Sequence, residues 1–344
     1  MKFSKSFKLL ALIFTVSLVT FSCSDDDDNN NSSASKSTIL YASNNSNGNI
    51  TIYDVTDASN ITTSTLLTTS TMADGIYYDK SSDAVFQASR SGKSLEGFSS
   101  ISNIMPGSAI NSDVIGTADM SSPREVAVNG NIFVVADNAD ADGDDTTPDG
   151  KLFVYTRNNG LFTLRNTITT DIKLWGIIFI GNDLYAVADA TNRLVVYTDF
   201  LSKTADATLS ASKQIAVEGI VRTHGLTYDS ASDIMIMTDI GQASNGQDDG
   251  GFHIIDNFTS KFNDTANNTT LAVAQQTRVS GAATLLGNPV DVAYDNDTKT
   301  VFIAEAGNGG GRILAFNNIG NGGNLTPAVN NSLTSASSVF ISKQ

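Results

Sequence analysis

Two groups of residues in this sequence have the side chains and the spacing to do chemistry. The first recurs at one point of a repeat. Asp74, Arg124, Trp175 and His224 each stand at the head of a short apolar segment, with Val290 and Ser337 at the same place and Glu125 and Asp291 one residue further on. Arg90, Asp137, Asp189, Asp239 and Glu305 end the segments that follow. An imidazole, an indole, two guanidinium groups and several carboxylates around one opening are what a small-ligand site needs. The acids that end a segment have a second use, which is to accept backbone N–H bonds from the next loop.

The other group is the loop from Asp137 to Gly150, DNADADGDDTTPDG. Asp140, Asp142 and Asp144 alternate along it, so three carboxylates can converge on a hard cation, and the expected site is Ca²⁺ on Asp137, Asp140, Asp142 and Asp144. Counted from Asp140, the loop departs from an EF-hand. Asp145 takes the place of the turn glycine, and Lys151 stands where the closing acid belongs. A similar loop, DIGQASNGQDDGG, runs from Asp239 to Gly251. With two histidines, His224 and His253, there is no cluster for zinc, and no Gly-x-Ser-x-Gly nucleophile elbow is present.

The elements that must position these residues are short strands at a regular spacing. Apolar segments begin at Gly75 (GIYYD), Glu125 (EVAVN), Gly176 (GIIFI), Gly225 (GLTYD), Asp291 (DVAYD) and Ser338 (SVFIS). Each of the first five is followed by a second strand such as NIFVVADN or DIMIMTDI, and mostly by a third such as KLFVYT or RLVVYT. A period of roughly 40–50 residues, with about four strands per repeat, predicts propeller blades. The last segment, SSVFISKQ, has nothing after it to pair with, but TILYASN and NITIYDV near the other end supply a second and third strand. The expected fold is all-β: a six-bladed β-propeller over residues 38–344, closed by N- and C-terminal strands sharing one blade. Its innermost strands line a central channel and bring the first group of residues to one mouth.

The N-terminus reads as an address. Lys2, Lys5 and Lys8 precede an apolar run from Leu9 to Val19, too short to span a membrane, which describes a secretory leader over residues 1–22. Cys23 is the single cysteine, so no intrachain disulfide forms. Residues 23–37 then read as a polar tether, because the adjacent carboxylates of Asp25, Asp26, Asp27 and Asp28 repel one another and an Asn/Ser run follows. The formal charge is −15 and becomes more negative once the leader's lysines are removed, which excludes a nucleic-acid partner.

Two resemblances add to this reading. Cys23 after its apolar run resembles the lipobox of bacterial lipoproteins, and Cys23-Ser24-Asp25-Asp26-Asp27-Asp28 resembles the surface-export signal of Bacteroidetes lipoproteins. Together they imply lipidation at Cys23 and an outer-membrane protein facing the cell exterior. The repeat region resembles six-bladed propellers of the NHL and gluconolactonase (senescence marker protein) type through Val135-Ala136-Asp137-Asn138, Val187-Ala188-Asp189 and Asp74-Gly75-Ile76-Tyr77-Tyr78-Asp79. Lactonases of that type hold a divalent metal on the channel axis. Asp74 matches one of their ligand positions; His224 stands where they have Asn, and Ser337 stands at the blade where they have Glu-Gly-Pro. The expected function is therefore a non-catalytic binding or scaffold module for a protein or glycan partner, as in a subunit of an outer-membrane transport or assembly complex. A metal-dependent lactonase or other hydrolase using the mouth residues is the alternative.

Overall fold

The computed structural model describes residues 37–344 apart from 118, 145 and 244. The expected leader, Cys23, Ser24 and the Asp25–Asp28 tract lie outside the described residues. The chain forms six antiparallel sheets, each one a blade, so the six-bladed propeller read from the repeat is the observed fold. The innermost strands are Ala336–Lys343, Ala73–Asp79, Pro123–Asn129, Leu174–Ile180, Leu226–Asp229 and Pro289–Asp295, numbered here as blades 1 to 6. All six overlap the segments that the period picks out, and only the one from Gly225 starts outside its strand.

Blade 1 is shared by the two ends of the chain. Ala336–Lys343 is its inner strand and pairs with Thr38–Asn44 in a register running from Thr38↔Lys343 to Asn44↔Ala336. Ile50–Asp54 and Thr62–Leu66 complete the blade. The last residue stays close to the first described one, with Gln344 N–H donating to the Ser37 carbonyl at 2.8 Å.

Each blade is sandwiched between two others, so its middle strands are buried on both faces. That is why Ala84–Ser89 (AVFQAS) and Thr300–Glu305 (TVFIAE) read as nearly continuous apolar runs and are buried along their whole length. The core is divided accordingly into six clusters, one per interface between blades. Between blades 2 and 3 it is aromatic. Phe133 meets Phe86 and Phe162 edge-on, with ring centroids 4.9 and 5.1 Å apart, contacts worth about 1 kcal/mol each beyond area burial.

The longest repeat step, from Gly225 to Asp291, has a structural reason. Its extra residues build the one α-helix among those described, Phe258–Asp264, and a short strand, Thr270–Leu271. The helix seats Phe258 and Phe262 against Tyr185 of the preceding blade, and the strand pairs in parallel with Lys213–Val217 on that blade's outer edge. The insertion thus covers an edge that would otherwise expose unpaired backbone.

Candidate functional site

Five inner strands carry an irregularity at the same point; in blade 1 it passes over Ser337, between Ala336 and Ser338. In the other four the pairing skips a step between Ala73 and Ile76, Pro123 and Val126, Leu174 and Ile177, and Pro289 and Asp291. A bulge releases residues from the ladder and re-aims their side chains. Here it frees Asp74, Arg124 and Trp175 at the mouth and Glu125 just below it. Glycines on blades 2 and 5 make room: a Cβ on Gly225 would lie 2.5 Å from Asp291 Cα, and one on Gly75 would lie 2.7 Å from Glu125 Cα. Only glycine lets neighbouring inner strands approach this closely.

The released side chains form one continuous network over blades 2 to 5. Asp74 is buried and accepts from Arg124 Nη1 at 3.0 Å and from Asn45 Nδ2, with Arg90 Nε at 3.6 Å. The Arg124 guanidinium lies 4.0 Å from the centroid of Trp175, and Trp175 stacks on His224 at 3.6 Å and 3°. His224 Nε2 sits 3.1 Å from Asp189 Oδ1, which also accepts from Arg222 Nη2 at 2.7 Å.

Burial pushes His224 down to about 4, against the pull of Asp189, so the ring is neutral at pH 7. Its proton must then sit on Nε2 to reach Asp189, which leaves the buried Nδ1 as an acceptor without a partner in the chain. Despite its burial, Asp189 is held well below the usual carboxylate range by His224 and Arg222. Three more buried polar atoms around the mouth lack a partner in the chain: Asn45 Oδ1, Arg124 Nε and Thr223 Oγ1.

Blade 5 adds a second network. Arg278 donates to Asp239 Oδ2 at 3.3 Å and to His253 Nε2 at 3.2 Å, while His253 Nδ1 donates to Gln276 at 2.6 Å. Burial also pushes His253 down to about 4.

The acids that end the second strands divide by role. Asp137 accepts the amides of Ser121, Ser122 and Ala139. Asp239 accepts those of Val221, Arg222 and Gly241. Glu305 accepts those of Gly287, Asn288, Gly307 and Asn308. Their main use is to hold loops. Asp137 therefore stands apart from the cation site expected for its loop. Asp144 does too: its carboxylate accepts from Thr146 N at 3.0 Å and Thr146 Oγ1 at 2.6 Å. The group that converges is Asp140, Asp142 and Asp149, with one carboxylate oxygen from each within 4.8 Å of the others. Among the described residues no such group forms at the mouth, where Asp74 is already committed to two arginines.

Below the mouth the channel is an apolar cavity of about 190 Å³, lined by inner-strand residues such as Ile76, Val126, Ile177 and Val339. Glu125 and Asp291 close its upper end. Asp291 accepts from Ser338 Oγ at 2.6 Å and Val339 N at 2.9 Å, yet burial still pushes it up to about 6. Glu125 lines this cavity. Burial, with Asp291 beside it, pushes Glu125 well above its ordinary range.

A stability prediction follows. In the unfolded chain Asp291 loses its proton near pH 4, and in the folded protein near 6. Its contribution is full below pH 4 and is lost as pH rises through 6. Asp291→Asn keeps an acceptor for Ser338 and Val339 without the charge. It is expected to stabilise the protein by on the order of 2 kcal/mol at pH 7.5 and by almost nothing at pH 4. Thermal melts of both proteins at the two pH values check this; an equal shift at both would refute it.

A larger cavity, about 890 Å³, lies on the opposite face between blades 1, 5 and 6, lined by Ile61, Ile234, Tyr294, Phe302, Ile319 and Val329 among others. It gathers no cluster of charged groups. The mouth remains the candidate site because buried charges and partnerless polar atoms meet there.

Arg222, Arg278, His253 and Asn45 belong to the networks and are absent from the set read in the sequence. Arg222 carried the one available signal, standing two residues before His224.

No protein-family model matches this sequence, and neither does any curated protein. Solved structures do match in shape. A chain of a crystallised nidogen–laminin complex superposes with a TM-score of 0.56 at 13% identity, over 89% of this chain and 98% of that one. A 6-phosphogluconolactonase candidate from Bacteroides fragilis gives 0.51 at 11% identity, over 90% and 99%. Another, from Bacteroides uniformis, gives 0.53 at 12%, over 87% and 83%. At these identities the likeness is one of fold, and the fold is the six-bladed β-propeller.

Proposed function

We propose that this protein is a non-catalytic binding module that is anchored at the outer membrane through a lipid on Cys23 and offers its channel mouth to a protein or glycan partner. The observation that carries this reading is how the mouth's charges are used. Asp74, Asp137, Asp189, Asp239 and Glu305 are all taken up by arginines, His224 or loop amides. Among the described residues, these five acids are all engaged, and His224 keeps only its buried Nδ1 without a partner. What reaches solvent is the donor side: Arg90, Arg222 and Arg278, with side chains 29, 33 and 37% exposed, around a half-buried Trp175. Arginine and tryptophan held rigid by neighbours are the residue types that dominate binding at interfaces. One of the fold's neighbours is itself part of a protein–protein complex.

Tagged full-length protein, extracted in mild detergent, is expected to bring down a stoichiometric partner. Arg222→Gln combined with Arg278→Gln keeps hydrogen bonds to the two aspartates and is expected to weaken recovery about tenfold or more. Cys23→Ala is expected to release the protein from the cell surface with partner binding intact. Full recovery by a folded double variant would exclude the mouth as the docking face.

One observation favours a second reading, lactone hydrolysis. Glu125 and Asp291 place two carboxyl groups side by side on the channel, both raised by burial, and two fold neighbours are lactonase candidates. Under the first reading a lactone screen with added Ca²⁺ or Mn²⁺ gives no turnover. Turnover abolished by Asp291→Asn would reverse the choice.

A further inference from the structure

The convergence of Asp140, Asp142 and Asp149 changes how the acidic loop is counted. With Asn138 as the first position, the next eleven residues read Ala139-Asp140-Ala141-Asp142-Gly143-Asp144-Asp145-Thr146-Thr147-Pro148-Asp149. An EF-hand loop draws ligands from positions 1, 3, 5, 7, 9 and 12 and requires glycine at position 6. In this register Asp140, Asp142 and Asp149 fall on positions 3, 5 and 12, and these are the three whose carboxylate oxygens approach one another. Gly143 falls on position 6 with a φ of +86°, in the left-handed region.

A separate observation points to a ligand. Asp149 is 8% exposed; its Oδ1 accepts from Ala141 N–H at 2.8 Å, and its Oδ2 is buried with no partner in the chain. A buried carboxylate oxygen facing two exposed carboxylates raises the free energy of the loop unless a cation stands between them.

We infer that residues 138–149 form a Ca²⁺ site. Asp140, Asp142 and Asp149 supply carboxylate oxygens, Asn138 its amide oxygen, and Asp144 its main-chain oxygen. Hard oxygen donors in a loop of this length suit Ca²⁺ better than Mg²⁺, which demands a tighter octahedron. Asn138 also ties the site to the mouth, because its Nδ2 lies 3.5 Å from Asp189 Oδ2.

The test is a calorimetric titration of the EDTA-treated, desalted full-length protein with CaCl₂. One site per chain is expected, with a Kd of about 10⁻⁵ to 10⁻³ M, as in sensor and extracellular modules. Asp149→Asn is expected to abolish binding, and Asp142→Asn to weaken it about tenfold or more. Asp142 is exposed, so its variant stays informative even if Asp149→Asn misfolds. Asp144→Asn is expected to change the Kd by less than about twofold, since position 7 binds through its carbonyl. A wild type without saturable binding, or an Asp144→Asn loss as large as that of Asp142→Asn, overturns the assignment.

Discussion

Deletion of residues 336–344 is expected to abolish folding to a soluble ring. Those residues form the inner strand of blade 1, and their loss leaves the inner edge of Thr38–Asn44 without a hydrogen-bond partner. It also strips Ala336 and Val339 from the core between blades 6 and 1. Asp291 loses both Ser338 Oγ and Val339 N–H, so its buried charge loses two of its donors. A bare strand edge beside an opened apolar core is a template for aggregation. Size-exclusion chromatography with light scattering should show aggregate or no recoverable protein. Val339→Asp, which keeps the backbone and breaks only the packing, should give a milder version seen as a lowered midpoint. A truncated monomer melting at the wild-type temperature would disprove the clasp.

Asp74→Ala should be the most damaging single substitution at the mouth. It leaves Arg124, with a side chain only 12% exposed, against Trp175 and without its counter-charge, and Arg90 loses the same partner. Breaking a buried pair from one side costs about 3–5 kcal/mol, roughly 5–8 °C in midpoint for a domain of this size. Asp74→Asn retains an acceptor for Arg124 and should cost less. In the double variant Asp74→Ala with Arg124→Met, much of the stability should return, because the stranded charge is gone. If the double variant is less stable than Asp74→Ala, the penalty comes from lost packing and not from an unpaired guanidinium.

The ring was legible because its inner strands recur with one pattern, and that pattern follows from burial on both faces. The mouth set was legible for a related reason: the bulged positions 74, 124 and 175 occupy the same place in each repeat. The roles were less accessible. Nothing local to Asp189 distinguishes it from Asp137, yet one meets Arg222 and His224 from the next blade and the other meets loop amides. Such differences depend on which blade lies alongside and at what distance, and sequence spacing does not encode that. The acidic loop differs in another way. Counting from Asp140 puts Asp145 at the glycine position, whereas the proposed site counts from Asn138 and puts Gly143 there, in line with the convergence of Asp140, Asp142 and Asp149.

The shared blade also sets the face of the ring from which both chain ends leave. Thr38 and Lys343 are register partners at the end of blade 1 remote from Ser43 and Ser338, so the chain enters and leaves on the face opposite the mouth. Cys23 lies fourteen residues upstream of Ser37, a stretch that reaches at most about 50 Å even fully extended. Under the proposed lipid on Cys23, so short a tether would turn that face toward the bilayer and the arginine-rimmed mouth toward the medium. An antibody or partner approaching from the medium would meet the mouth first, while the 890 Å³ cavity would lie on the membrane side, sheltered by the disc itself.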